Sequence, residues 1–235
     1  MIPALNTAQM IEVDRAMIED YHIELIQMME NAGRAFAELA RLQMGGTAQG
    51  HSVVVLCGNG NNGGGGMTAA RRLHNWGVKA TVVLSKPVDE FNGVPAHQLD
   101  ILQRMEIPIF ESASLSDLGA VDLILDAIIG YSLSGAPRGS AAEMIRWANN
   151  QDVPILALDT PSGLDVTSGV AHDPTIRSTA TLTLALPKQG LLNSDVKKFV
   201  GDLYLADIGV PPELYLKMGI QVTSLFDHED IVRIG

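Results

Sequence analysis

The chain has 235 residues, of which 46% are hydrophobic and 18% charged, so it can bury a sizeable core, and we expect a single domain over residues 1–235. Its net charge of −11 at pH 7 has the wrong sign for binding nucleic acid through phosphate contacts. No apolar run reaches the ~20 residues that span a bilayer, and the first ten residues do not resemble a signal peptide. With one cysteine, Cys57, and no Cys/His cluster of zinc spacing, we expect a cytoplasmic protein.

Two helices are expected before any strand. Asn6 and Gln9 have the spacing of a capping box, and apolar residues recur at helical intervals over residues 10–21. A second amphipathic pattern covers residues 25–39, and two successive glycines, Gly45 and Gly46, stop it. The amino-terminal part is therefore predicted to be helical.

Six short aliphatic runs then alternate with segments that can be helical. The runs are apolar without alternation, which is typical of parallel strands buried on both faces. They cover residues 52–57, 78–84, 107–110, 121–128, 153–159 and 180–186. Helices are expected around residues 67–76, 94–105 and 139–150, whereas the short segment 111–120 stays open. The pattern predicts an α/β fold with three layers, a doubly wound and mostly parallel sheet that binds ligands at the carboxyl ends of its strands.

A glycine-rich segment, residues 58–66, directly follows the first predicted strand, and six of its nine residues are glycine. Glycine lets the backbone approach a ligand closely, and the free N–H groups of a following helix, expected to begin at Met67, form an anion site. A mobile turn is the alternative. The segment contains G-x-G-x-x-G, but the second strand ends without the acidic residue of an NAD-binding unit, and the Lys-Ser/Thr pair of a P-loop is missing.

Aspartates stand at the ends of the fourth and fifth predicted strands. Asp126 precedes a loop of small residues, and Asp159 precedes a tight turn that would hold Asp159 and Ser162 towards one crevice. Each aspartate could instead form an ordinary cap or Asx turn. Oxygen-rich loops at three strand ends suit a hard cation better than zinc. The loop after Asp126 narrowly misses the G-x-S-x-G nucleophile elbow, so a serine hydrolase is not expected.

The histidines are scattered without pairing, and we interpret them as surface or core residues. They are His22, His51, His74, His97, His172 and His228.

Several motifs in this order resemble the YjeF N-terminal-domain family, the NAD(P)H-hydrate epimerases. The motifs are MMENAGRA, GNGNNGG before a helix, DAIIG, DTPSGLD, LPKQGL and DLYLADIGVP. The resemblance implies a Rossmann-like fold, a homodimer, and interconversion of the R and S forms of hydrated NADH and NADPH, a metabolite-repair reaction. Its functional partner would be the ATP- or ADP-dependent dehydratase that acts on the S form. Many bacteria fuse that dehydratase behind this domain, so this chain would be a free-standing or excised domain.

The resemblance also implies roles for individual residues. Asp159 matches the substrate-contacting aspartate of the family, and Asn62, Asp126 and Ser162 match the ligands of a potassium ion. Two loops match the substrate-binding segments: Asn61, Asn62, Gly63, Gly64 and Gly65 in the first, and Gly130, Tyr131, Ser132, Leu133, Ser134, Gly135 and Ala136 in the second.

For an epimerase, Asp159 is the expected general acid and base, because breaking and remaking a carbon–oxygen bond requires a proton at the departing hydroxyl. The glycine loop would bind the pyrophosphate through backbone N–H groups. Lys188 is a weaker candidate, since a lysine after a strand is usually solvated.

One position departs from the family pattern. The family reads GNNGGDG, and Gly65 stands where the aspartate belongs. A helix start favours a carboxylate, and glycine supplies none. Either Asp159 suffices for catalysis, or this chain binds nucleotide or acts as a scaffold without turnover, or the residue was altered. An NAD dehydrogenase is a third interpretation, and it would need a ribose-binding acid that the sequence lacks.

Overall fold

A computed structural model describes residues 2–223 and 225–235; Met1 and Ser224, which the expected domain of residues 1–235 includes, lie outside the described residues. The helices are α1 (Thr7–Glu19), α2 (Leu25–Gln43), α3 (Asn61–Asn75), α4 (Gly93–Arg104), α5 (Gly139–Asn149), α6 (Lys197–Val200) and α7 (Pro212–Lys217). The strands are β1 (Ser52–Cys57), β2 (Lys79–Leu84), β3 (Ile109–Glu111), β4 (Leu123–Ala127), β5 (Ile155–Leu158), β6 (Ala180–Leu184), β7 (Asp202–Ala206) and β8 (Ile231–Arg233). Short 3₁₀ helices cover Val88–Glu90, Ser112–Asp117, Gln189–Leu192 and Ser194–Val196.

The strands form one sheet in the order β3-β2-β1-β4-β5-β6-β7-β8. Strands β1 to β7 pair in parallel, and β8 runs antiparallel to β7. The chain moves outward from β1 to β3 and then returns to place β4 on the other side of β1. This reversal opens a crevice at the carboxyl ends of β1 and β4. The predicted doubly wound, mostly parallel sheet is confirmed.

Helices cover both faces of the sheet, as the three-layer prediction requires. On one face, Phe36 of α2, Met67 of α3 and Leu99 of α4 belong to a single buried cluster with residues of β1, β2 and β4. On the other face, Met144 and Ile145 of α5 pack in a cluster with alternate residues of the same strands. Strand residues alternate between the two clusters because successive side chains point to opposite faces.

The two amino-terminal helices are confirmed, and they extend the fold beyond the sheet. The Asn6 side chain accepts from the N–H of Gln9 at 2.9 Å, and the Asn6 N–H donates to the Gln9 side chain at 3.0 Å, which completes the capping box. Apolar residues of α1, including Val13, join Met28 of α2 and Leu214 of α7 in a separate cluster. Since this cluster also contains residues that follow β6 and β7, α1 and the start of α2 lie beside the carboxyl ends of the strands.

One expected helix boundary is wrong, one segment that was left open can now be assigned, and two strands were missed. Helix α3 begins at Asn61, not Met67, so the glycine run forms the first turns of the helix instead of a loop. The open segment 111–120 holds the 3₁₀ helix Ser112–Asp117. Strands β7 and β8 were not expected from the aliphatic runs.

No helix within the described residues is both long and apolar enough to cross a membrane.

Candidate active site

A cavity of about 340 Å³ lies at the carboxyl ends of β1, β4 and β5. Helices α1 and α2 contribute mostly apolar residues to its lining, whereas the segments that follow the strands contribute most of the polar groups. The lining residues are Met10, Asp14, Leu25, Met28, Met29, Ala32, Asn59, Gly60, Asn61, Asn62, Gly65, Ile128, Ile129, Gly130, Tyr131, Ser132, Leu158, Asp159, Leu184 and Ile208.

The glycines at the start of α3 allow that helix to pack closely against its neighbours. A Cβ at Gly63 would overlap the carbonyl oxygen of Gly58, and one at Gly66 would lie 2.5 Å from the Cβ of Ala127. A Cβ at Gly64 would lie 2.5 Å from the Met29 side chain. The close approach brings the amino end of α3 to the edge of the cavity, where the first N–H groups of a helix have no partner within the helix.

Gly65 lies on the cavity wall, at the position where the family pattern has an aspartate. A Cβ at this position would lie 2.7 Å from a methyl carbon of Leu158, which lines the same cavity. The carboxylates that line the cavity within the described residues therefore come from other elements, namely Asp14 of α1 and Asp159 after β5.

Asp126 and Ser162 form a fully buried hydrogen-bonded unit behind the cavity. The Asp126 carboxylate accepts from the Ser162 hydroxyl at 2.6 Å and the Ser162 N–H at 2.8 Å, and it also accepts from the N–H of Ile128 at 3.2 Å. Burial raises the pKa of Asp126 to about 6, although these hydrogen bonds act in the opposite direction. The Ser162 hydroxyl accepts in turn from the N–H of Ile129 at 2.9 Å.

Asn62 faces the same loop from α3. A Cβ at Gly130 would lie 3.3 Å from the Asn62 side chain, so the two are neighbours, and Gly130 directly follows the residues that bond Asp126 and Ser162. The side-chain nitrogen of Asn62 is buried without a hydrogen-bond partner. The three residues that match potassium ligands thus surround the loop 128–130. Within the described residues, three His, Cys, Asp or Glu side chains nowhere come close enough together to hold a metal ion.

Asp159 occupies a strained position directly after β5. Its φ of +66° lies in the left-handed region, which costs a non-glycine residue ~1 to 3 kcal/mol and is found preferentially at functional sites. One carboxylate oxygen pairs with the ammonium of Lys188, and the other accepts from the N–H of Tyr131 at 3.2 Å. The Asp159 side chain is only 5% exposed, yet the residue lines the cavity.

Lys188 is fully buried, although the sequence predicted a solvated lysine. Besides Asp159, its ammonium donates to the hydroxyl of Thr183 at 3.2 Å and to the carbonyl of Leu184 at 2.8 Å. All three N–H donors of the ammonium therefore have partners. The turn that carries Lys188 is held in place by Leu5, just before α1, whose N–H donates to the Pro187 carbonyl at 2.8 Å and whose carbonyl accepts from the Gln189 N–H at 2.9 Å.

Reasoning from the sequence did not select Asp14, which nevertheless lines the cavity. Its carboxylate accepts from the hydroxyl of Tyr131 at 2.5 Å. Burial raises the pKa of Asp14, and burial likewise raises that of the Tyr131 hydroxyl. A usable signal was present: Asp14 interrupts the apolar face of α1 next to Val13, one turn after Met10.

The other predicted residues divide between the cavity and its surroundings. Asn61, Asn62, Gly65, Gly130, Tyr131, Ser132 and Asp159 line the cavity. Gly63 and Gly64 are buried inside α3, and Leu133, Ser134, Gly135 and Ala136 continue outward into a mostly exposed loop. None of the six histidines is among the lining residues. The structure thus brings together the amino end of α3, the start of the loop after β4, and Asp159.

The sheet and its crevice define the class of the chain, an α/β protein with a carboxylate-lined cavity at the carboxyl ends of its strands. The model of the YjeF-related protein N-terminus family matches residues 25–190, and the chain belongs to this family. It is 41% identical over 220 residues to the NAD(P)H-hydrate epimerase of Dehalogenimonas lykanthroporepellens, covering 94% of this chain and 87% of that protein. The protein of the same name from Rhodopirellula baltica is 32% identical, and the match covers 93% of this chain and 89% of that protein.

Two further matches are a longer bifunctional relative and a solved crystal structure. The bifunctional NAD(P)H-hydrate repair enzyme Nnr of Salinibacter ruber is 34% identical, and the match covers 89% of this chain but 41% of that protein. The chain thus spans less than half the length of this bifunctional relative. The crystal structure of yeast ynu0 superposes with a TM-score of 0.85 over 99% of this chain and all of that one. Their identity is 23%, so this likeness shows the fold.

Proposed function

We propose that the chain is an NAD(P)H-hydrate epimerase, an isomerase that interconverts the R and S forms of hydrated NADH and NADPH. The observation that carries the proposal is Asp159, a carboxylate that lines the cavity while a buried lysine pairs with it. Relatives that cover nearly the whole chain bear the same name. The reaction belongs to metabolite repair.

The two parts of the cavity lining suit the two ends of such a substrate. The apolar part with Met10, Met28 and Met29 can hold the nicotinamide ring, because these flexible side chains pack against irregular apolar surfaces. The amino end of α3, at Gly60 and Asn61, offers backbone N–H groups and the positive end of the helix dipole to the pyrophosphate.

Asp159 is the proposed acid–base residue. Epimerisation breaks the carbon–oxygen bond of the hydrated ring, passes through a planar cation, and forms the bond again on the opposite face. A carboxylate on the cavity wall stabilises that cation and exchanges the protons that these steps require. Lys188 and the N–H of Tyr131 each bind one oxygen of Asp159 and so fix the orientation of its carboxylate. Lys188 is thus a positioning residue.

A potassium ion is the proposed cofactor, and Asn62, Asp126 and Ser162 would hold it. Their amide, carboxylate and hydroxyl oxygens suit a hard monovalent cation. The buried Asp126 carboxylate fits this assignment, since a cation would compensate its charge. The Asn62 amide oxygen lies beside Gly130, on the loop that also contacts Asp126 and Ser162. When bound, the ion would hold α3 and the loops after β4 and β5 at fixed positions.

A catalytically impaired, nucleotide-binding or scaffold protein is the second candidate function. Gly65 favours it, because this part of the cavity wall lacks the carboxylate of the family pattern. The intact Asp159–Lys188 pair favours catalysis.

The remaining proposals concern the setting of the reaction. We place the enzyme in the cytoplasm as a homodimer, working with an ATP- or ADP-dependent dehydratase that consumes the S form. The name of the bifunctional relative from Salinibacter ruber supports a link between two repair activities.

The purified chain can be tested with R-form NADPH hydrate, a dehydratase specific for the S form, and ATP. An epimerase makes NADPH appear faster than spontaneous epimerisation allows, and heat-inactivated protein provides the control. A rate equal to that control would refute the enzymatic proposal, and tight binding of the hydrate in that case would favour the second candidate function.

A further inference from the structure

The proposed epimerisation needs proton transfer on both faces of the ring. The hydroxyl departs from one face of the carbon and water adds to the other, so the two proton transfers occur on opposite sides of the planar cation. Asp159 is fixed by Lys188 and by the N–H of Tyr131, and it can serve one face. A second proton-transfer group should therefore lie elsewhere on the cavity wall. This inference rests on the proposed function.

Asp14 and Tyr131 occupy such a place. The Tyr131 hydroxyl donates to the Asp14 carboxylate at 2.5 Å, while the backbone N–H of the same tyrosine donates to Asp159 at 3.2 Å. The two carboxylates are therefore held at opposite ends of one residue. Asp14 comes from α1 and Asp159 from the end of β5, and all three residues line the cavity.

The surroundings of Asp14 shift its carboxyl group towards the protonated form. Burial raises its pKa, and the negative charge of Asp159 acts in the same direction, while the Tyr131 hydrogen bond and Lys188 act against this. From α7, Tyr215 also faces Asp14, and this carboxylate contributes to the raised pKa of the Tyr215 hydroxyl. Asp159, by contrast, lies in an ion pair with Lys188. One carboxyl group is thus suited to donate a proton and the other to accept one.

We propose that Asp14 and Tyr131 form the second proton-transfer pair of the site and act on the ring face turned away from Asp159. For this step the protonated Asp14 carboxyl is the donor in its 2.5 Å contact with the Tyr131 oxygen, the reverse of the hydrogen bond that the ionised carboxylate accepts. It passes its proton to the Tyr131 oxygen as the Tyr131 hydroxyl proton moves to the departing hydroxyl. The carbon–oxygen bond breaks, water leaves with the bonding electrons, and the lone pair of the ring nitrogen forms the carbon–nitrogen double bond.

Water then adds to the opposite face, its extra proton passes to Asp159, and the double-bond electrons return to nitrogen. Exchange with solvent restores the proton of Asp14 and removes that of Asp159. In the reverse direction the two sites exchange their roles, as a reversible epimerisation requires.

Asp14→Asn, Tyr131→Phe and the double variant test the pair. The control is Asp20→Asn, which changes an exposed carboxylate just after α1. The dehydratase-coupled assay gives kcat, KM and the pH profile with NADPH hydrate as substrate. Asp14→Asn and Tyr131→Phe should each lower kcat by ~10²- to 10⁴-fold with little change in KM, and the double variant should be no slower than the slower single variant. The control should match the wild type.

The pH profile separates a proton-transfer role from a structural one. Because Asp14 must hold a proton, wild-type kcat should fall on the alkaline side as Asp14 titrates, and Asp14→Asn should lose that limb. Circular dichroism establishes that each variant is folded, and Tyr131→Phe alone tests the pair if Asp14→Asn does not fold. An active wild type with unchanged kcat in these variants would overturn this inference alone. An inactive wild type would overturn the proposed function together with it.

Discussion

Replacing Lys188 by methionine tests whether the Asp159–Lys188 pair organises the site. Methionine keeps most of the volume and the unbranched shape of lysine but removes the charge. Lys188 is 0% exposed and the Asp159 side chain 5%, so bulk water screens little of the charge that is left. The Asp159 carboxylate would keep the Tyr131 N–H, and the Thr183 hydroxyl and Leu184 carbonyl would lose a donor.

The expected loss of stability is large. Removing one partner of a buried ion pair costs ~3 to 5 kcal/mol, because the remaining charge stays buried without compensation. With a urea m value of ~2.5 kcal/mol per molar, the unfolding midpoint should fall by ~1.2 to 2 M. Asp159→Asn should cost less, since Lys188 retains two hydrogen-bond acceptors. The double variant Asp159→Asn/Lys188→Met should cost less than the sum of the two single changes, because it leaves no unpaired charge.

Urea unfolding followed by circular dichroism at pH 7 measures all four proteins of this cycle. Lys197→Met, on the exposed surface of α6, is the control and should change the free energy of unfolding by less than ~0.5 kcal/mol. Additive effects of the two single substitutions would show that the two side chains do not interact, and the account of how Asp159 is positioned would be wrong.

Two further predictions concern the glycine helix and the cation. Gly63→Ala should destabilise the protein by ~1 to 3 kcal/mol, because the added Cβ would overlap the Gly58 backbone oxygen. Gly60→Ala is the matched control, since the space around its added Cβ is open. Equal melting temperatures for the two variants would contradict this packing. Potassium chloride at a hundredfold excess over Kd should raise the free energy of unfolding by ~2.7 kcal/mol relative to a non-binding salt of equal ionic strength, and Asp126→Asn should abolish the gain. A gain that survives this substitution would remove Asp126 from the cation site.

Much of the sheet follows from the sequence for a simple reason. The aliphatic runs lack alternation because strands of a parallel sheet are buried on both faces, and residues after such strands must meet at one edge. This reasoning brought Asp126, Asp159 and Ser162 to the same region. Strands β7 and β8 were missed, since β7 has half-buried positions on one face and β8 is only three residues long.

The start of α3 could not be predicted, because glycine is among the weakest helix formers. Packing overrides that preference here: Gly64 and Gly66 lie against Met29 and Ala127, where larger residues would not fit. Local propensity therefore placed the helix start six residues too late.

The partners of the candidate site were also beyond local patterns. Lysine is rarely fully buried unless it is paired, and Asp159 lies 29 residues before Lys188. Asp14 and Tyr131 are 117 residues apart and meet because α1 packs beside the strand ends. Contacts of this kind depend on the tertiary arrangement and leave little trace in the spacing of residues.

The kinetics of Asp159→Asn show whether Asp159 carries out the chemistry at the ring carbon. At a temperature where circular dichroism shows both proteins folded, we expect kcat for epimerisation of NADPH hydrate to fall by ~10²- to 10⁴-fold while the hydrate still binds. An Asp159→Asn variant with the wild-type kcat would contradict the account.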